Sequence, residues 1–322
     1  MNAESFSAAR RNAAVYWSKL PDNVRGAAWM MVSGVLFTIM ATLVKELGRR
    51  YDPFQIGLFR SLFGLVVLLP LILPHGLQAL RTSRPVLHLA RALCGVSAMA
   101  GGFYGLANLP LADVTAIGFG LPLFLIVTAV LFLGEKVRWR RWTATVVGFI
   151  GVVIMLRPGQ GQVEVATLVV IGSTMLVSFA ATMVKILTRT ESTLTSLAWF
   201  GVVSTVTMAV PAALVWETPV GVDWVLLILV GVLGACGQAC IVRAYTVGEA
   251  TAIAPFDYFK MIYAILVGIA LFGEWPDEWT LTGAVIIVGS TLYIARREAR
   301  LSESQRVALP KETDGFSGPP PG

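Results

Sequence analysis

The sequence predicts an all-α membrane protein of ten transmembrane helices, on three observations. Of 322 residues, 56% are hydrophobic and 14% are charged, against about 25% charged in soluble domains. Apolar runs of about 17–25 residues, the length that crosses a hydrocarbon core of about 30 Å, recur along most of the chain. The third observation is duplication. Ala41-Thr42-x-Val44-Lys45 returns 140 positions later as Ala181-Thr182-x-Val184-Lys185, and Leu47/Arg49 and Leu187/Arg189 continue the match. Thr115-Ala-Ile likewise returns as Thr251-Ala-Ile, each leading to a Gly-Glu at Gly134-Glu135 and Gly273-Glu274.

Residues 1–25 carry Arg10, Arg11 and Lys19 and lack an apolar core followed by a cleavage site, so they read as a cytoplasmic segment, not a signal peptide. The first span, 26–47, ends at Lys45, and the second, 54–73, contains Arg60. The third, 86–108, carries Arg91, the Gly101, Gly102 and Gly105 cluster, and Tyr104. The fourth, 111–133, is interrupted by Pro122 and closed by Glu135. Trp139 and Trp142 mark the interface where the fifth, 140–157, begins, since amphipathic indole rings favour that depth. Residues 164–187 form the sixth, which ends at Lys185, and 194–216 the seventh, which ends at Trp216. The eighth, 222–245, carries Gly231, Gly234 and Gly237, a spacing that lets helix backbones approach closely. The ninth, 250–272, holds Pro255, Asp257 and Lys260 and closes on Glu274, and the tenth is 279–296. The tail, 297–322, is polar, ends Gly-Pro-Pro-Pro-Gly and is expected to be disordered.

Basic residues set the orientation, because Lys and Arg near span ends stay on the cytoplasmic side. With the N-terminus inside, the inner segments hold most of them, from Arg10 and Arg25 through Arg81, Arg84 and Lys136 to Arg296 and Arg297. The outer loops hold Arg49, Arg50 and Arg157 beside Glu217, Asp223, Glu274, Asp277 and Glu278. Both termini are expected in the cytoplasm. The net charge of +6 is then a membrane-topology signal and calls for no nucleic-acid partner. Five spans per half is an odd number, so the second half enters the membrane from the opposite side. Inverted repeats of this kind interconvert inward-open and outward-open cavities.

Ionisable side chains at bilayer depth cost about 2.5–3.5 kcal/mol on insertion scales and mark functional positions. Asp257 is the carboxylate placed well inside a span, with Lys260 one turn on and Tyr258 and Tyr263 flanking. The pair reads either as a switch beside the substrate or as a permanent structural ion pair. Lys45 and Lys185, related by the repeat, read as gate or cavity charges or as headgroup-snorkelling ends. Arg60 is the candidate cavity-facing cation. Tyr104, Asn108, Phe119, Phe124, Gln238, Tyr245 and Phe256 are candidate cavity linings, suited to a flat or amphipathic metabolite. Glu135 and Glu274 read as end-markers able to pair with nearby bases.

Leu109-Pro-Leu-Ala-Asp113, Pro122, Leu133-Gly-Glu-Lys136, Arg140-Arg-Trp142, Gly148-Phe-Ile-Gly151 and Arg157-Pro158 resemble one EamA repeat of the drug/metabolite transporter superfamily. Ala254-Pro-Phe-Asp-Tyr258 and Leu271-Phe-Gly-Glu-Trp-Pro276 resemble the second. The resemblance implies two inverted five-helix EamA repeats, at 26–158 and 164–296, and small-metabolite transport across the bacterial inner membrane. Relatives in that family carry amino acids, riboflavin or S-adenosylmethionine. The copies differ: Pro255 lies 19 residues before Glu274, whereas Pro122 lies 13 before Glu135, so asymmetric binding chemistry is expected.

No HExxH, CxxC or Walker-type Gly-x-x-x-x-Gly-Lys occurs, so no enzyme chemistry, metal or cofactor is expected, and transport would be facilitative or gradient-driven, with protons the candidate coupling ion. His75 and His88 lack a credible nucleophile or ligand partner. Cys94, Cys236 and Cys240 lie within spans and read as small packing residues. A lipid or amphiphile flippase is the alternative reading.

Overall fold

The computed structural model describes residues 20–133, 139–155, 164–187, 190–248 and 253–308. Glu135, Lys136, Arg157, Pro158, Arg189 and Thr251 lie outside the described residues, as do most of the N-terminal segment and the end of the tail. All regular structure among the described residues is helical. The helices are α1 (Asp22–Leu47), α2 (Pro53–Ile72), α3 (Pro85–Asn108), α4 (Leu111–Gly118), α5 (Leu121–Leu133) and α6 (Trp139–Met155). They continue as α7 (Val165–Leu187), α8 (Thr193–Leu214), α9 (Asp223–Val247), α10 (Phe259–Val267) and α11 (Glu278–Ala308). A 3-10 segment, Leu73–Leu80, follows α2, another, Ala254–Tyr258, precedes α10, and a π turn, Gly268–Phe272, follows it.

Seven helical stretches among the described residues are long and apolar enough to cross a membrane: α1, α2 with its extension to Gly76, α3, α4 with α5 to Phe132, α7, α8 and α9. The chain is therefore a multi-pass membrane protein. The other three expected spans fall on shorter or composite elements. α6 has an apolar stretch of Trp142–Met155, the region of α10 is divided among 3-10, α and π geometry, and α11 continues well past 296. The disordered tail expected from 297 instead begins as helix, to Ala308, because Ala, Arg, Glu and Leu dominate that stretch and all are strong helix formers.

Packing follows the duplication. The most extensive helix contacts are α1 with α9, α3 with α7, α6 with α11 and α2 with α8. The 140-residue echo makes α7 the counterpart of α1, and the Thr115/Thr251 echo relates the α3–α4 region to α9–α10. The α1–α9 contact thus has its exchanged copy in α7–α3, and α2–α9, α3–α8 and α5–α7, α10–α1 form two further such pairs. The seams repeat in detail. Ser33 Oγ donates to the Gly237 carbonyl at 3.0 Å in one pair, and a Cβ on Gly101 would stand 2.2 Å from Ser173 Oγ in the other. Ser33 and Ser173 are 140 residues apart, and Gly101 and Gly237 share the spacing of Thr115 and Thr251. The helix starts repeat too: Asp52 caps α2 by accepting from Phe54 N at 2.9 Å, and Ser192 caps α8 by accepting from Thr195 N at 3.0 Å. At the α6–α11 contact, Cβ atoms on Gly151 and Gly283 would each meet the other's carbonyl oxygen, at 2.9 and 2.7 Å. Backbone there touches backbone.

Val206, Val210 and Leu214 form an exposed stripe along one face of α8, spaced by one helical turn. Such a stripe suits lipid, where helices satisfy their own backbone hydrogen bonds. Trp139, Trp142, Trp216, Trp224 and Trp275 are exposed near helix ends, as expected of interfacial anchors.

Candidate functional site

Both halves break a helix at the same place. Between α4 and α5 the chain turns at Phe119–Gly120, and before α10 it runs as the 3-10 segment Ala254–Tyr258. The spacing that relates Thr115 to Thr251 aligns Phe119–Pro122 with Pro255–Tyr258. Proline has no N–H to donate and its ring crowds the carbonyl four residues back, which suits Pro122 and Pro255 to the first turn after a break. Interrupted backbone at membrane depth is tolerated where it is buried in protein or lines a cavity. The two breaks meet: the Phe119 and Tyr258 rings lie 4.9 Å apart, tilted by 57°, and the Tyr258 hydroxyl bonds to Thr291 Oγ1 on α11.

Asp257 and Lys260, in the second break and the first turn of α10, form the expected ion pair. Lys260 Nζ also stands 5.3 Å over the Phe37 ring of α1, and a Cβ on Gly34 would touch both Lys260 Cγ and Tyr263 Cε2. Gly34 therefore lets α10 bring its lysine and tyrosine against α1. Phe259 bridges the aromatic rings on either side, stacking on Phe256 at 6.0 Å and lying 6.3 Å from Tyr263. Gln238 and Tyr245 are exposed on α9. Arg60 lies where α2 meets α9: a Cβ on Gly234 would stand 3.4 Å from Arg60 Nε and 3.1 Å from Met40 Sδ.

Arg60, Asp257 and Lys260 have apolar residues at the equivalent positions of the other region, where a different cation, Arg91 of α3, lies over the Phe200 ring. Arg60 corresponds to Phe200 by the 140-residue echo, and Asp257 and Lys260 correspond to Leu121 and Phe124 by the Thr115/Thr251 spacing. Phe124 is buried against Phe149, with ring centroids 4.9 Å apart.

Four other expected site residues lie elsewhere. Tyr104 and Asn108 line a cavity of about 640 Å³ at the end of α3, with Arg49, Arg50, Tyr51 and Trp216. Lys185 is exposed in the last turn of α7. Lys45 is buried in a connection between the halves: its Nζ lies 2.8 Å from Glu274 Oε1, donates to the Leu109 carbonyl and stands 5.3 Å over the Phe272 ring. Glu274 Oε2 accepts from Leu111 N at 3.1 Å. The π turn aims this carboxylate. Gly273 takes a left-handed φ of 67°, and Glu274 N then bonds back to the Gly268 carbonyl at 2.9 Å.

The same end carries further ties between the halves. Asp113 accepts from Thr280 Oγ1 at 2.7 Å, and Gln55 exchanges two hydrogen bonds with the Glu217 backbone at 2.7 and 2.9 Å. Asp223, which reads as a loop acid in the sequence, is 2% exposed and accepts from Tyr51 Oη at 2.7 Å and Arg50 Nη1 at 2.8 Å. Burial and that carboxylate push the Tyr51 hydroxyl above its ordinary value, so it remains a donor. The opposite end is tied through Glu191, which accepts from Thr82 Oγ1, Ser83 Oγ and Ser83 N at 2.9–3.1 Å. Trp199 Nε1 donates to the Leu80 carbonyl, and Arg91 donates to the Ser196 carbonyl while its guanidinium lies 4.5 Å over the Phe200 ring. His88 is fully buried and stacks on Trp199 at 5.5 Å. Sequence reasoning missed these partnerships, and the repeated Gly-Glu after the ninth span was the one signal that pointed toward Glu274.

The sequence signature of the EamA-like transporter family matches residues 24–157 and again 165–296. An S-adenosylmethionine uptake transporter of Rickettsia felis is 34% identical over 294 residues, covering 89% of this chain and 99% of its own. A riboflavin transporter of Rhizobium johnstonii is 31% identical over 280 residues, covering 86% and 93%. A solved crystal structure with 18% identity superposes with a TM-score of 0.58, over 85% of this chain and 98% of its own, and shares the fold. The chain belongs to the EamA-like transporter family.

Proposed function

We propose that this transporter takes up a small amphipathic metabolite of the S-adenosylmethionine class across the bacterial inner membrane, at the meeting of its two broken helices. The observation that carries the reading is the cluster of Asp257, Lys260, Tyr258 and Phe119 at that meeting point, where one half is charged and the other aromatic. S-adenosylmethionine joins a charged amino-acid end to a flat adenine. Asp257 suits its ammonium and sulfonium, and the aromatic rings suit its base. The near full-length likeness to an S-adenosylmethionine uptake transporter supports that cargo. Riboflavin, named for the second relative, matches only the aromatic part of the cluster.

In this reading ten spans form two inverted five-helix halves, and both termini face the cytoplasm. The exchanged helix contacts support the inversion. The Lys45–Glu274 end is then the outer end, and its ties between the halves are the contacts that part when the cavity opens outward. Asp257 and Lys260 face the cargo during this exchange. A proton or the cargo's own cation competes with Lys260 for the carboxylate, which couples binding to movement.

The test is uptake of a pooled metabolite panel containing S-adenosylmethionine and riboflavin into proteoliposomes, read by mass spectrometry with and without a proton gradient. Saturable entry of S-adenosylmethionine, with a gradient effect lost in Asp257→Asn, is the expected result. Entry of riboflavin alone replaces the cargo, and scrambling of labelled lipid without solute entry replaces the carrier with a flippase.

A further inference from the structure

Arg60 is the cation that the fold leaves without a counterpart. It is the eighth residue of α2, about 10 Å along the helix from its start at 1.5 Å per residue. A cation at such depth is costly unless it meets a partner, water or a ligand. The other cations inside the bundle that bear on the two halves have partners: Lys45 has Glu274 and Leu109, Lys260 has Asp257, and Arg91 has Ser196 and the Phe200 ring. Among the described residues no hydrogen bond or ion pair reaches the Arg60 guanidinium. It is partly buried and packs against the α9 backbone at Gly234 and against Met40 of α1.

The fold itself does not require the charge. The equivalent position in the other half is Phe200, where the seam's cation comes instead from α3 as Arg91, tied to the Ser196 carbonyl, and the α2–α9 and α8–α3 contacts form around either residue. The position nevertheless adjoins the cargo cluster. Gly234, beside Arg60, lies three residues from Gly237, about 4.5 Å along α9. A Cβ on Gly237 would meet the Phe37 ring, and Lys260 Nζ sits over that ring. One seam therefore presents two cations, Arg60 and Lys260, and one carboxylate, Asp257. It lacks one negative charge.

We propose that Arg60 is the specificity-determining anchor for an anionic group on the cargo, a carboxylate in the case of S-adenosylmethionine. The inference rests on the cargo site proposed above. A guanidinium offers a planar fork of donors that matches a carboxylate bidentately, which an ammonium does not. The cargo's carboxylate meets the Arg60 guanidinium, and its ammonium and sulfonium, which leave the cargo net positive, are left to Asp257 and the aromatic rings.

The experiment compares S-adenosylmethionine with its decarboxylated analogue, which differs by that one group, in proteoliposomes of the full chain. Wild type is expected to favour S-adenosylmethionine by about 10-fold or more in kcat/KM. Arg60→Gln should abolish the preference, through a raised KM for S-adenosylmethionine, and leave the analogue within about 2-fold of wild type. Arg60→Lys should keep part of it. The anchor is overturned if wild type is indifferent to the carboxylate, or if Arg60→Gln depresses both compounds equally or neither. If wild type carries no S-adenosylmethionine, the cargo reading fails and the anchor is judged on the panel compound that is carried. A cargo without an anionic group overturns the anchor. A cargo with one must show the same KM rise in Arg60→Gln for the anchor to stand.

Discussion

The region built on α1, α2, α9 and α10 and its counterpart built on α7, α8, α3, α4 and α5 pack by the same exchanged contacts, yet they place charge differently: the counterpart's Arg91 lies over the Phe200 ring and is tied to the Ser196 carbonyl. Arg60, Asp257 and Lys260 stand where the counterpart has Phe200, Leu121 and Phe124. The seams around them match, down to the Ser33–Gly237 and Ser173–Gly101 approaches. A duplicated fold contains its own control experiment. Where the same packing is achieved with apolar residues, the polar ones answer to something other than packing, and the cargo is the answer proposed above.

The sharpest way to break the comparison is to remove one charge and one counterpart. Asp257→Asn is expected to lower S-adenosylmethionine uptake by about 100-fold, and Phe124→Leu by less than about 3-fold, both measured on equal amounts of folded protein. Equal losses would mean that the charged region is merely the more fragile one.

A second comparison separates the cluster from the Lys45–Glu274 tie. Glu274→Gln leaves Lys45 buried without its counter-charge and should cost about 3 kcal/mol, read as a lowered unfolding temperature in detergent. The preference for S-adenosylmethionine over its decarboxylated analogue should not change. Lys45→Met combined with Glu274→Leu should recover most of the stability. A change in preference without a change in stability would move Glu274 into the binding site.

The glycine seams give a smaller effect. Gly151→Ala drives a Cβ against the Gly283 carbonyl, which cannot rotate away, and should destabilise by about 2 kcal/mol. Gly101→Ala meets a rotatable serine hydroxyl and should cost less by the same unfolding assay. The smallest effect concerns pH. Burial pushes the Glu191 carboxyl up, but the Ser83 and Thr82 hydrogen bonds outweigh it and hold the group below its ordinary value of 4.5. Its stabilising contribution is therefore complete above that value and is lost as pH falls through the lowered one. Thr82→Ala should flatten that acid limb in a pH series of unfolding temperatures.

Much of this was legible in the sequence because duplication and hydropathy are written along the chain. The Asp257–Lys260 pair is local, one turn apart, and could be read from spacing. The partners of Lys45, Asp223 and His88 come from distant parts of the chain, so no local pattern named them. Tyr104 shares the apolar–aromatic character of a cavity residue, but the end of α3 carries it to a pocket that Asp257 does not line. The unequal Pro-to-Glu spacings signalled asymmetry, and the second copy fills its longer interval with 3-10, α and π geometry. Hydropathy alone could not distinguish such a composite segment from a plain helix.

α11 has 31 residues, so it is about 46 Å long, roughly half again the thickness of a hydrocarbon core. Near its base the α11 backbone meets the α6 backbone at Gly151 and Gly283, and the helix runs on from Gly283 to Ala308, about 38 Å at 1.5 Å per residue. A helix of that length is a lever: a swing of about 10° about Gly283 would carry the tip through about 6.5 Å, on the same 1.5 Å rise. A spin label or fluorophore near Ala308 would magnify a small change of angle at Gly283 into a readable displacement.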